Sequence, residues 1–79
     1  MAEIRAQFPG IFYRKPAPDK PNFVEDGDSV TADQTIGIIE VMKTFNEIKA
    51  GSDGVITSFE IENEGMISPG QTIAIVEEG

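Results

Sequence analysis

The chain contains no cysteine, no histidine and no tryptophan among its 79 residues. Without cysteine or histidine it has no thiolate nucleophile, no imidazole base and none of the usual zinc ligands, so no metal site is expected. No disulfide can form and the N-terminal residues lack the apolar core of a signal peptide, which favours the cytoplasm. The apolar run 36–39 is far too short to cross a membrane. One small domain of this length has little room for an enclosed catalytic pocket, so we do not expect an enzyme.

Basic residues are scarce. Six lysines and arginines face 14 acidic residues, which gives a net charge of −8. This charge repels a phosphate backbone, and no basic stripe offsets it, so nucleic acid is excluded as the main partner. A charge of this size also keeps a small domain soluble, and we expect the isolated domain to be a monomer.

Short segments rich in β-branched residues dominate the chain. Glycine, proline, aspartate and asparagine clusters separate them, and no segment has the composition and caps of a good helix. Four phenylalanines, Phe8, Phe12, Phe45 and Phe59, are expected to pack in the core or against the strands. The predicted strands cover residues 10–14, 35–40, 44–50, 55–61 and 72–77.

An internal repeat indicates the architecture. Residues 30–40 match residues 67–77 at an offset of 37, and five of the eleven pairs are identical. Two such halves, related by a pseudo-two-fold axis, can bury their apolar faces against each other. We therefore predict a single all-β domain over residues 1–79, a flattened barrel or sandwich of two quasi-symmetric four-stranded halves. Gly37, which aligns with Ala74, is expected to allow close approach between the halves.

The first half contains an insertion. Residues 10–13 match residues 54–57 at an offset of 44, so the first half holds seven residues that the second lacks. They fall where the composition is that of a projecting loop with three prolines and a restricted backbone. The composition alone leaves two readings open, a functional protrusion and a tolerated surface insertion. The loop consists of Lys15, Pro16, Ala17, Pro18, Asp19, Lys20, Pro21 and Asn22.

A tight turn is expected between the predicted strands 35–40 and 44–50. No glycine, proline or long polar loop separates them, so Lys43 must stand at or beside the tip. A lone lysine in a turn is more often a solvated charge than a functional group. Met42 suits adaptable contacts, because a methionine in a tight turn has little core to enter. Glu40 and Glu47 flank the turn, either as docking groups or as ordinary outward charges.

Residues 40–43, followed by 46–48 and 54–56, resemble the attachment site of biotin carboxyl carrier proteins, whose usual signature is Glu-Ala-Met-Lys-Met. Residues 9–14 resemble the first strand of that family. Lys15–Asn22 resembles the thumb typical of the acetyl-CoA carboxylase carrier of bacteria and plastids. The likeness covers nearly the whole chain, and its three parts agree in order and position.

The resemblance implies a fold, a cofactor and partners. The fold is the barrel-sandwich of biotinyl and lipoyl domains, and the cofactor is biotin joined covalently to Lys43, with Glu40, Val41, Met42 and Thr44 flanking it. The implied partners are biotin protein ligase, biotin carboxylase and a carboxyltransferase. The carrier would deliver a carboxyl group without catalysis of its own, most simply for malonyl-CoA formation by acetyl-CoA carboxylase in fatty-acid biosynthesis.

Departures from the family pattern keep alternatives open. Thr44 replaces the usual methionine after the lysine, which bears on ligase efficiency. Lys15 stands where the family often has threonine or serine, which bears on a hydrogen bond from the thumb to biotin. An Ala/Pro-rich N-terminal extension is not seen, so both a stand-alone carrier and a domain of a longer chain remain possible. The other functions considered are a lipoyl carrier, a carrier of another biotin-dependent carboxylase, and an unmodified interaction module.

Overall fold

The computed structural model describes residues 2–78, and in this range the chain forms eight β-strands and no helix. Residues 2–78 accordingly provide no helix of the length and apolarity that crossing a bilayer requires. All five predicted strands are present, and three short strands that the sequence did not reveal join them. The strands are β1 (Ala2–Arg5), β2 (Gly10–Tyr13), β3 (Ser29–Val30), β4 (Thr35–Val41), β5 (Thr44–Lys49), β6 (Gly54–Phe59), β7 (Gly65–Ile67) and β8 (Thr72–Glu77).

The strands form two antiparallel four-stranded sheets. The first sheet has the order β1-β8-β6-β3, and the second has the order β5-β4-β2-β7. The two sheets share one hydrophobic core and remain open at their edges rather than closing into a barrel. The predicted all-β sandwich is confirmed, and we refer to the second sheet as the hairpin sheet because it contains the β4–β5 hairpin.

The quasi-symmetry relates one whole sheet to the other. Ile4 of β1 lies opposite Ala74 of β8 in the first sheet, and Ile48 of β5 lies opposite Gly37 of β4 in the hairpin sheet. Ile48 is the equivalent of Ile4 at the offset of 44, and Ala74 is the equivalent of Gly37 at the offset of 37, so equivalent residues pair in both sheets. Each sheet therefore contains two strands from each half of the sequence. The two sequence repeats are interleaved and do not form separate half-barrels, because their strands pair across the midpoint of the chain.

The core follows the same symmetry. Six large side chains are fully buried, and they form three equivalent pairs: Phe12 with Ile56, Ile36 with Ile73, and Ile39 with Val76. Among the described residues no polar or charged side chain is buried. Since neither half can cover these apolar side chains alone, their mutual burial explains why both repeats are needed for one stable sandwich.

Several identical residues of the repeat have structural roles. Thr35 Oγ1 donates a hydrogen bond of 2.6 Å to Glu47 Oε1, and Thr72 Oγ1 donates one of the same length to Glu3 Oε1. The repeated glutamines 34 and 71 also act alike, since each side-chain oxygen accepts a bond from a backbone N–H three residues earlier. These identities maintain the scaffold, so a functional site is to be sought where the halves differ.

Two expectations about packing require correction. A Cβ on Gly37 would lie 2.5 Å from the ring of Phe12, so this glycine makes room for an aromatic ring on the neighbouring strand of the same half, not for contact between the halves. Phe12 is fully buried, but Phe8 and Phe45 are 40% and 61% exposed and so are not core residues. Phe45 instead lies on the outer face of the hairpin sheet.

Candidate functional site

The β4–β5 hairpin has a two-residue tip. Val41 and Thr44 are the last paired residues, which leaves Met42 and Lys43 as the turn. Their φ angles are +51° and +68°, so both occupy the left-handed region, as the two central residues of a type I′ turn do. This turn matches the right-handed twist of the flanking strands. Met42 is 93% exposed and Lys43 is also exposed, so both side chains project into solvent.

The base of the hairpin is held by core and edge contacts. Ile36 and Ile39 of β4 are fully buried, and Ile48 of β5 is nearly so, which anchors both strands in the sandwich. On the same hairpin, Asn46 Nδ2 donates to the carbonyl oxygen of Ile39 over 3.4 Å. The anchored base holds the exposed tip in one position, so the ε-amine of Lys43 is presented on a rigid support.

Glu40 is tied to a neighbouring strand. Tyr13 of β2 donates its hydroxyl proton to Glu40 Oε1 over 3.1 Å. This hydrogen bond raises the pKa of Tyr13 above its ordinary value, and partial burial and the charges of Glu40 and Glu64 act in the same direction. At the equivalent position of the second half, Thr57 bonds to a backbone carbonyl instead. The Tyr13–Glu40 bond is therefore particular to the half that carries the hairpin.

The proline-rich insertion projects from a closed base. The backbone N–H of Phe23 donates to the carbonyl oxygen of Arg14 over 2.8 Å, which joins the two ends of the loop 15–22. The Arg14 guanidinium lies 4.1 Å from the centre of the Phe59 ring and forms ion pairs with Glu25 and Asp26 at 3.5 and 3.4 Å. These contacts fix the base of the thumb to the body of the sandwich.

A groove of about 370 Å³ separates the thumb from the outer face of the hairpin sheet. One wall comes from the thumb, and the floor comes from strands β2, β4 and β5 and the β6–β7 connection. Because Glu40 precedes the turn by two residues on β4, the groove lies directly beside the hairpin. It is lined by Tyr13, Lys15, Pro16, Ala17, Pro18, Ile38, Glu40, Phe45, Asn63 and Glu64.

Only part of the predicted residue set meets in this place. Lys15–Pro18 and Glu40 line the groove, and Val41, Met42, Lys43 and Thr44 form the hairpin end beside it. The outer thumb residues 19–22 do not line it, and Asn22 bonds instead to the Glu25 carboxylate over 3.1 Å. Glu47 is held by Thr35 and Lys49, so its contacts are those of the scaffold.

Five groove residues were not predicted as site residues from the sequence: Tyr13, Ile38, Phe45, Asn63 and Glu64. Tyr13 and Ile38 were assigned only to strands, Phe45 was assigned to packing, and Asn63 and Glu64 were given no role. Comparison of the repeats contained a signal for Tyr13, because its counterpart Thr57 is small and polar. Alternation along β5 contained a signal for Phe45, because it lies on the same side of the strand as the charged residues Glu47 and Lys49.

The model of the family described as "Biotin-requiring enzyme" matches residues 2–76 of the chain. Among curated proteins, the biotin carboxyl carrier protein of acetyl-CoA carboxylase from Streptococcus pyogenes is 46% identical over 68 residues, which cover 86% of this chain and 41% of that protein. The protein of the same name from Porphyra purpurea is 41% identical over 76 residues, which cover 96% of this chain and 48% of that protein. The chain thus spans less than half the length of these relatives.

A solved structure shows the same architecture. The urea carboxylase of Kluyveromyces lactis superposes with a TM-score of 0.78 at 25% identity, over 96% of this chain and 6% of that chain. The matched part is therefore a small unit within a much larger protein.

Proposed function

The chain belongs to the family of biotin-requiring enzymes, and on that premise we propose that it is a biotin carboxyl carrier domain of an acetyl-CoA carboxylase. Lys43 would hold biotin as an amide, and the domain would present it first to biotin carboxylase and then to the carboxyltransferase. The observation that carries this proposal is the display of Lys43 at a two-residue tip with left-handed backbone, on strands anchored in the core. The relatives named as carriers of acetyl-CoA carboxylase support the choice of complex.

The residues of the hairpin fit covalent biotin. An exposed lysine amine at a turn can enter the active site of a ligase without unfolding of the carrier. There it can attack biotinyl-adenylate, so that the amide bond forms as the mixed anhydride breaks and AMP leaves. Once bound, biotin supplies a ureido group that accepts and releases a carboxyl group. The Tyr13–Glu40 pair and the thumb residues 15–18 border the groove beside the tip, so they are the groups of this chain that would contact the folded-back arm.

The protein's own task is presentation. The ligase has to supply the base that takes the proton from the amine as the amide forms. The carrier contributes a fixed tip, which lowers the ordering cost when an enzyme docks. Tethering then raises the local concentration of the cofactor at each enzyme to about the millimolar range. We assign the domain no catalytic group of its own.

Intact mass after co-expression with a biotin protein ligase tests the attachment site. We expect a single biotinyl addition on the unaltered chain, none on Lys43→Arg, and full labelling of the control Lys49→Arg, which changes an exposed lysine of the same hairpin. Labelling of Lys43→Arg would refute the assignment of Lys43. A lipoyl addition in place of biotin would assign the chain to the lipoyl carriers, and co-purification with a carboxyltransferase for another acyl-CoA would change the proposed complex.

A further inference from the structure

Large apolar side chains are concentrated on the outer face of the hairpin sheet. Within residues 2–78 six large hydrophobic side chains are exposed, and four of these belong to this face or its tip: Ile11, Met42, Phe45 and Met66. Single exposed hydrophobic residues are ordinary on protein surfaces, but a contiguous set beside a functional tip indicates a contact surface.

Three of these side chains form one row with Glu40. Phe45 on β5 lies opposite Glu40 on β4, Glu40 lies opposite Ile11 on β2, and Ile11 lies opposite Met66 on β7. We call Phe45, Glu40, Ile11 and Met66 the outer row. Phe45, Ile11 and Met66 are 61%, 36% and 83% exposed. The row crosses all four strands, and its Glu40 position is two residues before the turn, so it lies immediately below the tip.

The quasi-symmetry provides an internal comparison. In the other sheet Glu77 lies opposite Val55, and Val55 lies opposite Ser29. Val55 is 38% exposed and so matches Ile11, but Ser29 takes the place of Met66. The scaffold therefore tolerates a short polar residue at this position. Since folding does not require the exposed methionine, another role explains it better.

Resting on the proposed function, we infer that the outer row is the docking surface for biotin carboxylase, with Glu40 facing a lysine or arginine of that enzyme. An enzyme that takes the arm into its active site must approach the surface from which the arm projects. The substrates of biotin carboxylase, ATP and bicarbonate, are anions, so its entrance has to carry positive potential. This chain has a net charge of −8.

Modification of Lys43 increases the charge complementarity between the outer row and a cationic surface of biotin carboxylase. Amide formation replaces the positively charged amine at the tip with a neutral group and leaves Glu40 as the charge in the middle of the outer row. A cationic enzyme surface is then no longer repelled at the tip. Apolar contacts around a single paired charge are the usual arrangement at the centre of a compact interface.

Nuclear magnetic resonance provides a test that does not depend on the loaded cofactor. The ¹⁵N-labelled Lys43→Gln chain, which is neutral at the tip and carries no arm, is titrated with purified biotin carboxylase. We expect line broadening at the amides of Ile11, Phe45 and Met66 and none at Ser29, Val55 and Glu77 of the opposite sheet. Broadening confined to the opposite sheet, or absent at enzyme concentrations that saturate turnover of the loaded chain, overturns the inference.

Matched substitutions test the same surface in turnover. Ile11→Ser and Met66→Ser, each loaded with biotin and checked by intact mass, are expected to raise the KM of biotin carboxylase for the carrier about fivefold each, the size typical of a residue central to an interface. Val55→Ser, which removes an equally exposed side chain from the symmetric position, is expected to change it less than twofold. Met66→Ser removes an exposed side chain, so it leaves the fold intact and the result interpretable.

The remaining outcomes identify other occupants and so overturn the inference. If only the carboxyltransferase step responds to Ile11→Ser and Met66→Ser, the surface belongs to that enzyme. If the chain dimerises in sedimentation experiments and Met66→Ser abolishes the dimer, a second copy covers the row. If the ligase does not modify Lys43, the proposed function fails. If Lys43 is loaded normally and Ile11→Ser and Met66→Ser leave the KM of biotin carboxylase unchanged, only the docking surface is refuted.

Discussion

Met42 and Lys43 adopt a backbone conformation that suits neither residue. Left-handed φ costs a non-glycine residue about 1–2 kcal/mol, and type I′ turns strongly favour Asn-Gly for this reason. Both residues have positive φ here, and both side chains are exposed, so no packing interaction offsets the cost. Folding alone would select other residues at the tip. A methionine and a lysine at the tip therefore fit the proposed attachment of biotin to Lys43.

Met42→Asn is expected to stabilise the domain, because asparagine tolerates the left-handed region better than methionine. We expect the free energy of unfolding in urea to rise by about 1 kcal/mol, because one strained residue is relieved. If the ligase contacts the Met42 side chain, biotinylation should also slow. Met66→Asn is the matched control, since Met66 is equally open to solvent but lies in an extended strand. In a strand asparagine is less favourable than methionine, so the free energy of unfolding of Met66→Asn should stay constant or fall. A loss of stability in Met42→Asn would show that the turn is not strained.

The thumb is the element in which the two halves differ most. The first half joins β2 to β3 through residues 14–28, whereas the second joins β6 to β7 through residues 60–64. The extra length is held rigidly at its base by Arg14, which contacts Phe59, Glu25 and Asp26, and is closed by the bond between Phe23 and Arg14. Such anchoring indicates a wall for the groove rather than a loose insertion.

Removal of the thumb separates this role from folding. Because Arg14 and Phe23 are bonded like the closing pair of a hairpin, residues 15–22 can be replaced by Asn-Gly. We expect the free energy of unfolding to change by less than about 1 kcal/mol, since a shorter loop costs less closure entropy. The ligase should still modify Lys43, while kcat/KM for biotin carboxylase should fall about three- to tenfold. Parallel losses in both reactions would instead mean that the thumb serves the fold or the ligase.

Sequence patterns predicted the elements better than their assembly. Strands β2, β4, β5, β6 and β8 were found because their apolar alternation and turn residues are local signals. Strands β1, β3 and β7 have two to four residues and show no period of their own. The interleaving of the halves was missed because pairs such as Ala2 with Val76 join residues far apart in sequence. Phe45 was misplaced because its aromatic character was given more weight than its alternation with Glu47 and Lys49, while the turn at Met42–Lys43 lies where the sequence located it.

The edge strands β1 and β5 of the two sheets carry equivalent hydrogen-bonded ion pairs. In the hairpin sheet the carboxylate of Glu47 accepts the Thr35 hydroxyl and pairs with Lys49 at 3.2 Å. In the other sheet Glu3 accepts the hydroxyl of Thr72 and pairs with Arg5 at 3.1 Å. The threonine bond is the main cause that lowers the pKa of each glutamate below its ordinary value, and the neighbouring cation adds to it. Acid sensitivity should therefore originate in both edge strands together.

The effect of pH on stability follows from the direction of these two pKa shifts. A carboxyl group whose pKa is lower in the folded state stabilises the fold above its unfolded-state pKa, and this contribution is lost as the pH falls through the folded-state value. We expect the free energy of unfolding to decline between about pH 5 and pH 3.

Thr35→Val and Thr72→Val should each flatten this decline by a similar amount, and their effects should add because the two clusters share no partner. Thr57→Val is the control, since its hydroxyl donates to the backbone oxygen of Ile75 and not to a carboxylate. Chemical unfolding across this pH range measures all four chains, and an equal flattening in Thr57→Val would contradict the assignment of acid sensitivity to the two threonine–glutamate bonds.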